Sequence, residues 1–163
     1  MSIRRATEAD VPRMMEIFEG ARAFQVATGN PRQWEPRKWP PEELLRQDIA
    51  AGKSYVCELD GRVVATFFYD FGEDVEPTYA QVEGGSWRDP SPYGVVHRIA
   101  SDRSAKGIGR FCIQWAYDQC GHLRMDTHGD NKVMQHLLTS MGFDYRGVIY
   151  VVEDNDPRLA YEW

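Results

Sequence analysis

The chain has 163 residues, a length that holds one domain with a substantial core. Hydrophobic residues make up 42% and charged residues 27%, ordinary for a globular protein, and no apolar run approaches the roughly 20 residues that span a bilayer. The formal net charge of −6 argues against a nucleic-acid partner, because such sites are usually basic; it fits either a cationic acceptor or plain solubility.

Residues 3–6 read as a short first strand, and Met1-Ser2-Ile3-Arg4-Arg5 lacks the apolar core of a signal peptide, so a cytoplasmic location is expected. Thr7 is a helix N-cap, and Asp10 supplies the acidic half of a capping box. Val11, Met14, Met15 and Phe18 form the apolar stripe of a first helix, with Gly20 either ending it or lying within it. Residues 24–41 lack periodicity and hold Trp34, Trp39 and Pro40-Pro41, so they form a long loop whose tryptophans bring apolar area to bury. A second helix covers 42–51, with Gly52 as its stop. Strands 54–59 and 62–71 flank Asp60-Gly61, a two-residue hairpin signal. Residues 72–92, rich in acids, prolines and glycine, form a connection with one irregular strand around 79–82.

Residues 93–100 form the central strand, and 107–119 a third helix whose Ile108, Phe111, Cys112, Trp115 and Ala116 make one apolar stripe. Cys112 and Cys120 lie about 12 Å apart along that helix, too far for a disulfide, and with Cys57 they show no metal-ligand spacing, so reduced thiols and no metal are expected. Residues 123–127 form a strand, and 131–141 a fourth helix with Val133, Met134, Leu137, Leu138 and Met141 on one face and Gly142 as its cap. Residues 143–152 give a strand, Asp154-Asn155-Asp156 turns the chain, and 158–163 close it. There is no internal repeat or linker, so 1–163 reads as one domain.

The chemistry gathers at the turn between the central strand and the third helix, Ser104-Ala105-Lys106-Gly107-Ile108-Gly109-Arg110. Such a turn offers unpaired amides and the positive end of a helix dipole to a phosphate. The lysine precedes the glycines, which excludes a nucleotide P-loop. Cys112 stands where a dinucleotide fingerprint needs its third glycine. The third reading is coenzyme A, whose diphosphate is also cradled by a glycine turn opening a helix.

This turn resembles the pyrophosphate loop of the GCN5-related N-acetyltransferases (GNAT), Arg/Gln-x-x-Gly-x-Gly/Ala, and Asn131 followed by Gly142-Phe143 resembles that family's second signature. The resemblance implies an α/β fold with a mixed, mostly antiparallel central sheet of six to seven strands flanked by about four helices. It implies acetyl-CoA as cosubstrate, held by Ser104 to Arg110, with main-chain groups at Ile99 and Ala100 along its pantetheine arm and Asn131 beside them. It also implies that the 24–41 region lines the acceptor pocket, where Phe24, Trp34 and Trp39 either contact a small-molecule or peptide amine or pin the loop down. Two positions depart from the pattern: Ser104 stands at the usual Arg or Gln, and Leu138 at the tyrosine with which many members protonate the departing thiolate. Backbone amides supply most of a phosphate nest, and Arg103, Lys106 and Arg110 offer charge.

The residues themselves suggest who moves the protons. His97 lies two residues before Ile99 on the central strand, so the two should share a face, and it serves either as the base or as a sheet hydrogen-bond partner. His128 is a second candidate, Asp126 could orient either, and His122 and His136 are expected at the surface. Thiolate release falls to Tyr93, Tyr145, Tyr150 or a water. The expected reaction is direct attack by the amine of a small molecule or of a protein N-terminus; the rival is an acyl-CoA-binding sensor or partner subunit with little activity, motivated by Leu138. The apolar stretch 148–152 is either a homodimer surface or sheet interior.

Overall fold

A computed structural model describes residues 1–152 and 154–163. Its elements run β1 (Ser2–Arg5), α1 (Val11–Ala27), α2 (Glu42–Ala50), β2 (Ser54–Leu59), β3 (Arg62–Gly72), β4 (Tyr93–Ser101), α3 (Ile108–Cys120), β5 (Leu123–Thr127), α4 (Lys132–Met141), β6 (Asp144–Tyr150) and β7 (Pro157–Glu162). Seven strands form one sheet in the order β1-β2-β3-β4-β5-β7-β6, antiparallel at every pairing except β4 with β5. Among the described residues no helix is long and apolar enough to cross a membrane.

Local chemistry sets most of these boundaries. Thr7 and Asp10 form the capping box, although it opens a 3₁₀ turn at Glu8–Asp10 that runs on into α1. Asp60 and Gly61, at φ 53° and 75°, make the tight turn from β2 to β3. Asn131 caps α4, its side-chain oxygen accepting from the Met134 amide at 3.0 Å.

Both faces of the sheet are covered. Val96, Cys57 and Phe67 pack under Cys112, Ile113 and Leu138 of α3 and α4. On the other face Met14, Ile17, Phe18 and Leu45 pack with Val56 and Ala100. Beside them Tyr79, Tyr93, Val95, Ile149 and Ala160 form a smaller cluster under the connection 73–92.

Five sequence expectations are corrected. Phe24 lies within α1, which runs through Gly20 to Ala27, so the irregular loop starts later than residue 24. No strand forms at 79–82; Pro77–Ala80 is a 3₁₀ turn, and the connection meets the sheet at a single Glu83–Val148 bridge. Val133 is 49% exposed, because the buried face of α4 runs through Leu138 and Met141. His122 is buried rather than at the surface, since Glu162 awaits it inside.

The fifth correction positions the site. β4 carries a bulge: His97 pairs with Phe68 but Ala100 with Thr66, so three steps on β4 match two on β3. Arg98 absorbs the extra residue at φ 50°. The alternation is thereby broken, and His97 shares its face with Ala100 instead of Ile99. β4 and β5 pair only at Gly94–Leu123 and Val95–Arg124, and beyond that point they separate. That gap is the floor of the candidate site.

Candidate active site

A cavity of about 210 Å³ opens where β4 and β5 part. Val96 to Ile99 form one wall and Met125 to Thr127 the other. Trp34, Arg37 and Trp39 cover it from the loop after α1, and Asn131 and Met134 close it from α4. The loop is tied down: Asn30 and Asn131 both donate to the Gln33 side-chain oxygen, at 2.8 and 3.1 Å, and Arg32 reaches Asp130 at 2.6 Å. Trp34 packs edge-on against Phe18 at 5.8 Å, so it anchors the loop while facing the cavity.

His97 lies at the centre of the polar wall. Its Nε2 is 2.8 Å from the Glu76 carboxylate, and its Nδ1 is 3.9 Å from Asp126. Glu76 belongs to the connection between β3 and β4 and also accepts the Thr78 amide at 3.2 Å. Burial works to raise its pKa, but the bonds from His97 and Thr78 outweigh it and hold the carboxyl below its ordinary range. Asp126 accepts from the Tyr79 hydroxyl at 2.5 Å. Tyr79 is 2% exposed, and burial followed by Asp126 pushes its pKa up, so it stays a hydrogen-bond donor. Arg98, also on the wall, is held by Asp48 through two bonds of 3.0 and 2.8 Å. The cavity also meets two buried polar side chains, Gln25 and Thr127, whose Oε1 and Oγ1 have no partner among the described residues.

The α3 turn follows the C-terminal end of β4. The Phe111 amide makes the first backward bond, to the Gly107 carbonyl at 2.9 Å, so the amides of Ile108, Gly109 and Arg110 precede the hydrogen-bonded ladder. Gly107 sits at φ 80°, which a side chain would strain, and a Cβ there would point into open space. Asp102, the acid nearest the turn, is occupied with the Ser104 amide at 2.9 Å and with Arg13 and Arg62 at 2.7 and 3.0 Å. Lys106 is exposed, and Arg110 reaches Ser140 on α4. Free amides, a positive φ and cations nearby fit a diphosphate.

The structure thus brings together His97, Ile99, Asn131, Trp34 and Trp39 around the cavity, and gathers Ser104 to Arg110 at the turn. Ala100 sits just beyond the bulge, buried against the α1 face. Two candidates stand apart. Phe24 lies on α1 under the Arg103 guanidinium, 4.3 Å from its ring centre, and does not line the cavity. His128 is buried beyond β5, its Nδ1 accepting the Asp130 amide at 3.0 Å.

Tyr93, Tyr145 and Tyr150 are likewise away from the cavity walls. Leu138 is fully buried, so packing alone accounts for it. Cys112 is fully buried too; its contact with Cys57 and then burial raise its pKa, and it stays a thiol. Glu76 and Tyr79 were missed by sequence reasoning, because nothing local in residues 72–92 marks which of its acids turns inward. Among the described residues no group of three His, Cys, Asp or Glu could hold a metal ion.

The amide-lined turn and the polar cavity both adjoin β4 of this chain. Comparison with known proteins identifies its kind. The profile of the Acetyltransferase (GNAT) family matches residues 14–143. A GNAT-family acetyltransferase of Streptococcus agalactiae superposes with a TM-score of 0.88 at 29% identity, covering 99% of this chain and 93% of that one. Two further structures share the fold. One is a GNAT-family acetyltransferase of Listeria monocytogenes (TM-score 0.71, 16% identity, coverage 99% and 93%). The other is a ribosomal-protein-alanine N-acetyltransferase of Brucella melitensis (TM-score 0.64, 19% identity, coverage 100% and 99%). No curated protein sequence matches the chain. The chain belongs to the GNAT family and is an acetyltransferase.

Proposed function

We propose that the protein transfers an acetyl group from acetyl-CoA to the amine of a small molecule or a peptide by direct attack. The observation that carries this reading is the amide-lined Gly107 turn just past the end of β4 together with the His97 cavity where β4 and β5 part. Acetyl-CoA supplies the activated acetyl thioester. The amides of Ile108, Gly109 and Arg110 bind its diphosphate, with Lys106 and Arg103 adding charge at the rim. Ile99, Ala100 and Asn131 border the arm that leads from the turn to the cavity. Trp34 and Trp39 confine the acceptor, and alignment of two reactants in a small closed space contributes several kcal/mol to the rate. His97 takes the proton that the attacking amine must lose. With Leu138 packed in the core, no tyrosine on α4 reaches the thiolate, and an ordered water is its proton source.

Calorimetric titration with acetyl-CoA tests the first half, and thiol release against an amine panel the second. Micromolar binding is expected, weakened by at least about tenfold in Gly107→Trp, which strains the turn and crowds the nest. Absence of binding to the folded protein overturns the reading.

A further inference from the structure

We infer that the short turn from Glu76 to Tyr79 is a positioning element for the base: Glu76 fixes the ring of His97, and Tyr79 fixes Asp126 beside its free nitrogen. The inference rests on His97 as base and adds what makes it one. Glu76 is the N-cap of the 3₁₀ turn Pro77–Ala80, and Tyr79 lies within that turn. Glu76 bonds His97 Nε2 at 2.8 Å, and the Tyr79 hydroxyl donates to Asp126 Oδ1 at 2.5 Å. Four residues therefore set both carboxylates that flank one imidazole.

The chemistry of the pair fixes the direction of transfer. Glu76, as a carboxylate, only accepts, so Nε2 carries the hydrogen between them. In the neutral ring Nδ1 then keeps its lone pair, and Nδ1 is the nitrogen nearer Asp126 on the cavity wall. When the amine attacks, its N–H bond breaks and an Nδ1–H bond forms, while the Nε2 hydrogen stays on the ring. The imidazolium so produced lies between Glu76 and Asp126. The other groups facing His97 are the Phe68 ring at 5.7 Å, the Tyr79 ring at 6.1 Å, and Arg98 on its own strand, which is neutralised by Asp48 of α2. Glu76 and Asp126 are thus the two carboxylates nearest its nitrogens, at 2.8 and 3.9 Å, while the Asp48 carboxylate acts on the ring from further away through charge alone.

The test uses the full chain and reads ring geometry as well as rate. In Glu76→Gln the shape is kept and the charge is lost. We expect kcat to fall about 10- to 100-fold, with the KM for acetyl-CoA unchanged within about twofold. Glu76→Asp keeps the charge at a shorter reach and should recover part of kcat. A kcat within about twofold of the unaltered protein in Glu76→Gln, or a loss that Glu76→Asp does not partly recover, overturns the inference. Nitrogen-15 NMR of the histidines decides the geometry without turnover: His97 should be protonated at Nε2 and bare at Nδ1, and the reverse tautomer also overturns it. Inactivity of the unaltered protein toward every amine would instead remove the acetyl-transfer reading, leaving the NMR result to judge the turn.

Discussion

His97–Glu76 and His122–Glu162 are both joined from Nε2 to a glutamate oxygen at 2.8 Å, yet they occupy opposite surroundings. The His97 side chain is 20% exposed on the cavity wall, and its second nitrogen faces open space and Asp126. The His122 side chain is 10% exposed and Glu162 is fully buried. The second nitrogen of His122 is spent on the Pro92 carbonyl at 3.1 Å. Glu162 also accepts the Arg88 amide at 2.7 Å and lies within 3.4 Å of Arg124 and 3.7 Å of Arg146. Arg124 in turn stacks over Trp87 and Tyr93. The second pair therefore ties the connection 73–92 to the end of the sheet. The two pairs differ in that His97 keeps an open second nitrogen beside a cavity, which suits it to the proposed proton transfer.

Removing Glu162 should break the structural pair with the largest effect. Glu162→Ala leaves His122 and two guanidiniums facing an empty buried site, at a cost of about 3–5 kcal/mol. That is a large share of a typical domain stability of about 5–15 kcal/mol, and denaturant unfolding reads it directly. Turnover per folded molecule should stay within about twofold. The same carboxyl sets an acid limit. Burial tends to raise its pKa, but His122, the Arg88 amide and Arg124 outweigh it, and the folded value lies below the ordinary one. Its contribution is therefore complete above about pH 4.3 and lost as pH falls through the lowered folded value. Glu162→Gln should flatten that acid slope. Retained stability with lost turnover would reverse the roles of the two pairs.

His97→Ala is the converse. We expect kcat to drop about 100-fold or more, while stability changes by only about 1 kcal/mol because the ring is partly exposed. If turnover survives, His97 is a tie of the same kind as His122.

How much of this could be read from the chain follows from the range of the interactions. The hairpin at Asp60-Gly61, the Asn131 cap and the Gly107 turn are set by neighbours a few residues apart, and each is legible as a motif. Both histidine pairs are not. Glu76 lies 21 residues before His97, and Glu162 lies 40 after His122, so their meeting is decided by sheet order. His122 reads as a surface residue for want of a visible partner. The bulge at Arg98 is equally hidden, because an arginine with positive φ carries no local signature. Its consequence is large: it puts Ile99 on the face opposite His97 and Ala100 on the same face as His97.

His128 sharpens the comparison with the smallest effect, since it belongs to neither pair. Its Nδ1 accepts the Asp130 amide, and Nδ1 must be unprotonated to do so. Burial first, and the nearby charge of Arg158 second, lower its pKa from the ordinary value. A histidine lowered on folding contributes stability above its unfolded pKa of about 6.5, and that contribution fades as pH falls below this toward the folded value. His128→Gln can keep the bond to the Asp130 amide through its side-chain oxygen but cannot titrate. The urea midpoints of the two proteins should therefore differ more at about pH 7.5 than at about pH 5.5, with turnover equal within about twofold. A pH-independent difference would mean that His128 is not held neutral by the fold. A large loss of kcat would bring it into the proton transfer assigned to His97, although it does not line the cavity.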